Sequence, residues 1–340
     1  MLSGENEELR YAVIGGVARI AARHFEALAR LPVRVVALSD IDVERGARRA
    51  RETGTSFFAD HKAMLTAIRP DVAIVCTPHP SHAPIAIDCL RAGAHVLAEK
   101  PIADAVGPAD DAVRVAAEEG RILGVNHPER FRPAIEFAKG AIARGELGRI
   151  TRVLAVEPWL RNAAYYQSSP WRATWQGEGG GVLMNQAPHM LDVLGHLMGL
   201  PARVWGMART RVHDIECEDS AQAMFEYADG AFAYVATSTI EAGVEQQMEI
   251  VGDRAVLQIM PDTVRLTRLE RSVRDHVTRQ ESGPPATATE VVPLAEGEPG
   301  MLAVHRDFLA AVRERRAPRC DGRSALMSLE LANAILLSSF

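Results

Sequence analysis

The sequence predicts two domains: an α/β amino-terminal domain over residues 1–127, built on a parallel sheet, and an α+β carboxyl-terminal domain over residues 128–340, built on a large, mainly antiparallel open sheet. Three observations predict it. From Tyr11 to about Val125, short β-branched runs (YAVIG, VRVVALS, VAIVCT, AHVLAE, ILGV) alternate with helix-length segments, the pattern of parallel strands covered by helices. After Ile150 the runs become alternating strands (ITRVLAVEPW, ARVWGMARTRV, SAQAMFEY, GAFAYVATSTI, QQMEIVG, AVLQIM) broken by hairpin signals at Ala228-Asp229-Gly230 and Gly252-Asp253. A chain of 340 residues, 47% hydrophobic and 24% charged, is long enough to bury two cores.

The remaining elements follow in order. RPAIEFAKGAIARGELG, residues 132–148, reads as a helix ending at Gly145 or Gly148. PHMLDVLGHLMG has helical periodicity, opened by Pro188 and stopped at Gly199. Residues 273–299, rich in Thr, Pro, Glu and Gly, read as a surface excursion without a core. MLAVHRDFLAAVRERR and SALMSLELANAILLSS read as two closing helices, and there is no internal repeat.

Charge excludes some classes of partner. A formal net charge of -6 and a pI near 6.0 argue against a protein that grips nucleic acid or an anionic membrane, since both need an excess of Lys and Arg on one face. The chain carries no run of about 18 apolar residues and begins with the polar, acidic MLSGENEELR, so the expectation is a cytoplasmic protein. Cys76, Cys89, Cys217 and Cys320 are scattered with no C-x-x-C pair and no histidine at ligand spacing, which suggests reduced thiols and no metal site.

YAVIGGVARIAARH has the strand-turn-helix form of a dinucleotide-binding turn, with glycine at fewer places than G-x-G-x-x-G asks. Starting the motif at Gly15 puts bulky Val17 and Ile20 at the later glycine places. Starting it at Gly16 puts Ala18 and Ala21 there, at one methyl each, and this register is the easier one. Backbone N–H groups where Arg19 and Ile20 open the helix then face the phosphates. Asp40 closes the second strand, where a carboxylate can bind the adenosine ribose hydroxyls and repel a 2′-phosphate, favouring NAD over NADP. Asp40 or Asp42 could equally cap the helix that begins near Val43.

Two further strand ends carry chemistry. The VAIVCT strand runs into TPHPSH (Thr77, Pro78, His79, His82) and the AHVLAE strand into EKP (Glu99, Lys100, Pro101), both at carboxyl ends of parallel strands, where ligands bind in open sheets. A lysine there can stabilise an alkoxide. Further on, YYQSSPWRATWQGEGGGVLMNQAPHMLD holds Gly179, Gly180 and Gly181, which permit a sharp turn, then Asn185, and then His189 and Asp192 three apart on one helix face.

With these strings the sequence resembles the Gfo/Idh/MocA family of sugar and polyol oxidoreductases, over nearly the whole chain. EKP and GGG-x-L-x-N/D-x-x-x-H-x-x-D carry the resemblance, with VNHPERFRP, EIVGDRAVLQI and the HRDFL helix in support. The resemblance implies an α/β Rossmann N-terminal domain plus an α+β C-terminal domain, with Lys100 and His189 facing nicotinamide and substrate. It places Asn185 where inositol-dehydrogenase-like members carry Asp, Ala18 where a first-loop glycine is usual, and His79 where the Asn of a TPN segment is usual.

The expected cofactor set is therefore Gly16, Ala18, Arg19, Ile20, Asp40, Thr77, Pro78, His79, His82, Glu99, Lys100 and Pro101. The expected substrate set is Lys100, Arg130, Trp171, Arg172, Asn185, His189 and Asp192, with Trp171 stacking on a sugar face, Arg172 binding hydroxyl, carboxylate or phosphate oxygens, and Tyr165 and Tyr166 as helpers. Each has a plainer reading: Asn185 as a helix cap, Asp192 as a packing group, Arg130 in a surface ion pair. The expected reaction is hydride transfer between NAD(H) and a secondary alcohol of a sugar, polyol or nucleotide-sugar, with His189 handling the proton and Lys100 the charge. A redox-neutral, glycosidase-like NAD enzyme and a non-catalytic NAD-binding regulator are the alternatives. The open sheet implies, by resemblance, a homodimer or homotetramer, for which Val235, Met248 and Ile250 are available apolar residues.

Overall fold

A computed structural model describes residues 8–279 and 282–340. The first half runs β1 (Leu9–Ile14), α1 (Arg19–Leu28), β2 (Val33–Ser39), α2 (Val43–Thr53), β3 (Ser56–Phe58), α3 (His61–Ile68), β4 (Val72–Val75), α4 (His79–Arg91), β5 (His95–Ala98), α5 (Val106–Glu118) and β6 (Leu123–Val125). The six strands are all parallel, in the order β3-β2-β1-β4-β5-β6. This is the doubly wound order of a Rossmann fold, with its switch point between β1 and β4. β4 is buried throughout and β1 from Tyr11 to Ile14, which is why YAVI and VAIV read as unbroken apolar runs.

After a 3-10 turn (Pro128–Phe131) come α6 (Pro133–Ala143), β7 (Ile150–Pro158), α7 (Ala163–Gln167), α8 (Trp175–Glu178), α9 (Val182–Asn185) and α10 (Pro188–Met198). The strands β8 (Arg203–Arg209), β9 (Ser220–Glu226), β10 (Phe232–Ser238), β11 (Gln247–Gly252), β12 (Ala255–Ile259) and β13 (Val264–Leu269) follow, then α11 (Val273–Thr278), β14 (Thr287–Val291), α12 (Gly300–Glu314) and α13 (Gly322–Ser339). The eight-stranded sheet has the order β14-β13-β12-β11-β7-β10-β9-β8, antiparallel except for β7 beside β10.

The described chain divides into two compact units, one of residues up to Pro128 with Glu298–Leu329, the other of Glu129–Gly297 with Glu330–Phe340. Residues 298–329, placed by the sequence with the second domain, cluster with the first, because Leu302 and Leu309 of α12 bury themselves against Ala27 and Leu31 at the end of α1.

Two expectations change. Residues 273–299 do contain structure: Ser272 caps α11 by accepting from the Asp275 N–H (3.2 Å), and β14 pairs with β13. Every β14 side chain is exposed, so this edge strand has no apolar alternation to reveal it. The interface residues are also corrected. Val235, Met248 and Ile250 are buried, and the residues on the opposite face, Trp205, Met207, Phe232 and Tyr234, are the exposed ones. Side chains alternate across a strand, and composition could not say which parity pointed outward.

Candidate active site

In the first unit the turn after β1 demands glycine at Gly15, where φ is 78° and a Cβ would come within 2.8 Å of the Cys76 backbone. At Gly16 a Cβ would meet only the Leu38 side chain, at 3.1 Å. Of the two glycines the obligatory one is therefore Gly15, set by the backbone leaving β4, a neighbour distant in sequence. Ala18 is the N-cap of α1 and makes no side-chain cap, and Arg19 and Ile20 open the helix. Such an end presents N–H groups to an anion.

Asp40 follows β2 and is nearly buried. Its Oδ2 accepts from the Val17 N–H and its Oδ1 from the Asp42 N–H, both at 3.0 Å. Capping of α2 falls to Asp42, which accepts from the Arg45 N–H at 3.0 Å. The capping role thus goes to Asp42, and Asp40 ties the glycine turn to the end of β2.

The loops after β4 and β5 are clasped together from behind. His82 is 1% exposed. Its Nδ1 meets the Pro101 carbonyl at 2.7 Å and its Nε2 meets the Thr77 carbonyl. Burial holds its pKa down against those two carbonyls. His82 therefore sets the relative position of the two loops. His79 opens α4 beside it, also buried, with Pro78 as N-cap.

Glu99 likewise points inward. Its Oε1 accepts from His24 Nε2 (2.8 Å) and Asn126 Nδ2 (2.6 Å), and its Oε2 lies 3.3 Å from the Lys100 N–H. His24 Nδ1 and His305 Nε2 share a proton at 2.8 Å. Burial raises the carboxyl pKa, yet the His24 hydrogen bond and charge, Asn126 and Lys100 together prevail and hold it at about 2. A fixed anion thus stands behind Lys100, which follows β5 half-buried at its carboxyl end. His24, Asn126 and His305 lie inside YAVIGGVARIAARH, VNHPERFRP and HRDFL, yet the sequence gives none of them a role: they stand far apart in the chain, and only the fold gathers them.

In the second unit Gly181 has no room for a side chain, since a Cβ would run into the Glu218 carbonyl. The Glu218 carboxylate accepts from the Gly181 N–H (2.9 Å) and Leu183 N–H (3.0 Å), fixing the approach to α10. Burial pushes its pKa to about 7 against those N–H groups. His189 then lies in the first turn of α10, half-buried, and lines a cleft with Glu157, Met190, Gln247 and Met248.

Arg130 and Asp192 are corrected together. Arg130 Nε and Nη2 donate to Asp192 Oδ2 and Oδ1 at 2.8 and 2.6 Å, with side chains 1% and 0% exposed. Both side chains are buried, so Arg130 is not in a surface ion pair. The pair ties the 3-10 turn to α10. Trp171, Arg172 and Asn185 are instead gathered around Tyr165, which the sequence ranked only as a helper. Its hydroxyl donates to Asn185 Oδ1 (3.0 Å) and accepts from Arg172 Nη1 and Gln186 Nε2, each at 2.9 Å. Asn185 Nδ2 donates in turn to Glu178.

Residues 9–127 match the model of the oxidoreductase family with an NAD-binding Rossmann fold, and residues 135–258 match the GFO/IDH/MocA C-terminal domain. The chain belongs to the Gfo/Idh/MocA family.

Among relatives of this Gfo/Idh/MocA oxidoreductase, the inositol 2-dehydrogenase of Rubrobacter xylanophilus is 28% identical over 76% of this chain and 74% of its own. The D-glucoside 3-dehydrogenase of Escherichia coli is 25% identical over 86% of this chain and 92% of its own. Among solved structures, the WlbA dehydrogenase of Bordetella pertussis, in complex with NADH and UDP-GlcNAcA, superposes with a TM-score of 0.84 at 26% identity, covering 98% of this chain and 97% of that one. The first unit of the Gfo/Idh/MocA chain fits a dinucleotide on its own geometry: a turn closed to any side chain at Gly15, an α1 N-terminus without a side-chain cap, and a carboxylate at the end of β2.

Proposed function

We propose that this chain is an NAD-dependent dehydrogenase oxidising a secondary alcohol of a sugar, polyol or nucleotide-sugar, with Lys100 and His189 as catalytic residues. The observation that carries the reading is Lys100 at the carboxyl end of β5, at the ligand-binding edge of a Rossmann sheet, with the Glu99 anion held behind it. The names of the relatives, dehydrogenases of inositol and of D-glucosides, support the substrate class. The glycine turn with Ala18, Arg19 and Ile20 would hold the pyrophosphate, Asp40 the adenosine ribose, and Thr77, Pro78, His79 and Pro101 the remainder.

NAD, when bound, supplies the hydride acceptor. The hydroxyl proton must leave as the carbinol hydrogen does, and His189 takes it as general base. The Lys100 ammonium stabilises negative charge on the same oxygen. Asn185 has no proton to exchange at neutral pH, so the proton path ends at His189 and Asn185 serves to orient. The test is NADH formation by purified protein across UDP-sugars, free sugars and inositols. Net NADH separates oxidation from a redox-neutral cycle, and a protein that binds NADH but oxidises no member of the panel would overturn the reading.

The cofactor we propose is NAD because the Asp40 carboxylate repels a 2′-phosphate. In Asp40→Asn the ratio of kcat/KM with NADP to that with NAD is expected to rise about tenfold, equivalent to ~1.4 kcal/mol. An unchanged ratio would place selectivity elsewhere.

We also propose a homodimer or homotetramer formed through the outer sheet face. Its support is a contiguous row in register across three strands, Trp205 beside Met224 beside Tyr234, with Tyr234 in turn beside Leu154. Trp205 and Tyr234 are each 45% exposed, so the row presents aromatic surface on the outer sheet face. The double variant Trp205→Glu and Tyr234→Glu should run as a monomer in light scattering while retaining its circular dichroism. A wild-type protein that is itself monomeric defeats the proposal.

A further inference from the structure

Beside Asn185, the structure assigns an anion-binding subsite: we propose that Arg161 and Arg172, arranged around Tyr165, receive a carboxylate or phosphate carried by the sugar substrate. The inference rests on the dehydrogenase reading for the identity of the substrate, and stands on its own geometry for the charge that it carries.

The guanidinium carbons of Arg161 and Arg172 lie 4.9 and 4.5 Å from the centroid of the Tyr165 ring. Each is also stacked on a tryptophan, Arg161 over Trp159 at 5.1 Å and Arg172 over Trp171 at 4.8 Å. Flat guanidiniums held on aromatic faces keep their in-plane N–H groups free to grip a flat or tetrahedral anion. Arg172 spends Nη1 on the Tyr165 hydroxyl (2.9 Å) and Nε on Ser168 Oγ (3.1 Å), both neutral acceptors. Arg161 makes a long contact from Nη1 to its neighbouring Leu160 carbonyl, at 3.4 Å. Within this unit, among the described residues, neither cation is paired with a carboxylate.

Two buried donors in this cluster point the same way. Arg161 Nε and Trp159 Nε1 are both shielded from solvent without an acceptor. A buried N–H without a partner costs free energy that a bound acceptor recovers. The elements hold these groups in place: Trp159 and Arg161 extend β7, with their N–H groups donating to the Ser238 and Thr239 carbonyls at 2.7 and 2.9 Å, while Tyr165 belongs to α7, capped by Asn162. Through its hydroxyl Tyr165 reaches Asn185, four residues before His189. A substrate with an anionic group in this nest would be anchored next to the helix that carries the proposed base.

The test is calorimetric titration of the NADH-loaded protein with D-glucuronate, glucose 1-phosphate and D-glucose, which requires no turnover. At least one of the two anionic sugars should bind ten-fold or more tighter than glucose, and which of them does so distinguishes a carboxylate from a phosphate. In Arg161→Met and in Arg172→Met that preference should disappear while NADH affinity stays as in wild type, and Arg172→Lys should restore part of it. Equal binding of charged and neutral sugars by the wild type, or a preference that survives both methionine variants, overturns the subsite. Absence of NADH formation with all three, alongside a retained anion preference, would count against the dehydrogenase reading and leave the subsite standing.

Discussion

Lys100→Met is expected to lower kcat by about 10²- to 10⁴-fold, the usual worth of one positioned electrostatic or proton-handling group, while NADH binds within about threefold of wild type. Methionine keeps the length of the chain and removes the charge. The loop should survive the change, because its anchors are elsewhere: Glu99 is held by His24 and Asn126, and Pro101 by His82. Steady-state rates paired with NADH fluorescence titration check it. A fall in NADH affinity in step with the fall in kcat would move Lys100 from the chemistry to cofactor binding, and wild-type turnover would remove it from the site.

Arg130→Met should produce the largest loss of stability, about 3–5 kcal/mol, because it strips two guanidinium hydrogen bonds and their positive charge from the buried Asp192 carboxylate. The double variant Arg130→Met with Asp192→Leu should recover much of that loss, since an apolar pair of similar volume replaces a buried ion pair at little net cost. The single variant also carries a pH signature. Burial already raises the Asp192 carboxyl pKa against the pull of Arg130, and losing Arg130 raises it further above the unfolded value, so the folded state holds the extra proton. The penalty is therefore smallest in acid and grows as pH rises through the raised pKa. Urea unfolding across that range measures both effects. A cost below about 1 kcal/mol would mean the pair is hydrated and behaves as a surface bridge.

The architecture was legible because buried parallel strands need unbroken apolar runs and exposed-face strands need alternation, and both patterns are local. The parallel sheet, the antiparallel sheet and the helices ending at Gly145 and Gly199 follow from them. What alternation could not supply was direction: it identified β10 and β11 as strands and offered Val235, Met248 and Ile250 as apolar residues for an interface, and these lie inward. The edge strand β14 and the short β3 carry too little pattern to be read at all.

The site divides in the same way. EKP, the three-glycine string with His189 and the acid after the second strand are contiguous signals, and the sequence alone determined which groups they carry and their places at strand ends and on a helix. Partners were decided by tertiary structure: Arg130 with Asp192, Glu99 with His24, Asn126 and His305, and Arg172 with Tyr165. It also decided that glycine is obligatory at Gly15, because the atoms that forbid a side chain there belong to Cys76. Hydrogen bonds and steric exclusion act over a few ångströms between groups that stand dozens or hundreds of residues apart, so residue order along the chain fixes which chemistry is present and only folding settles which group meets which.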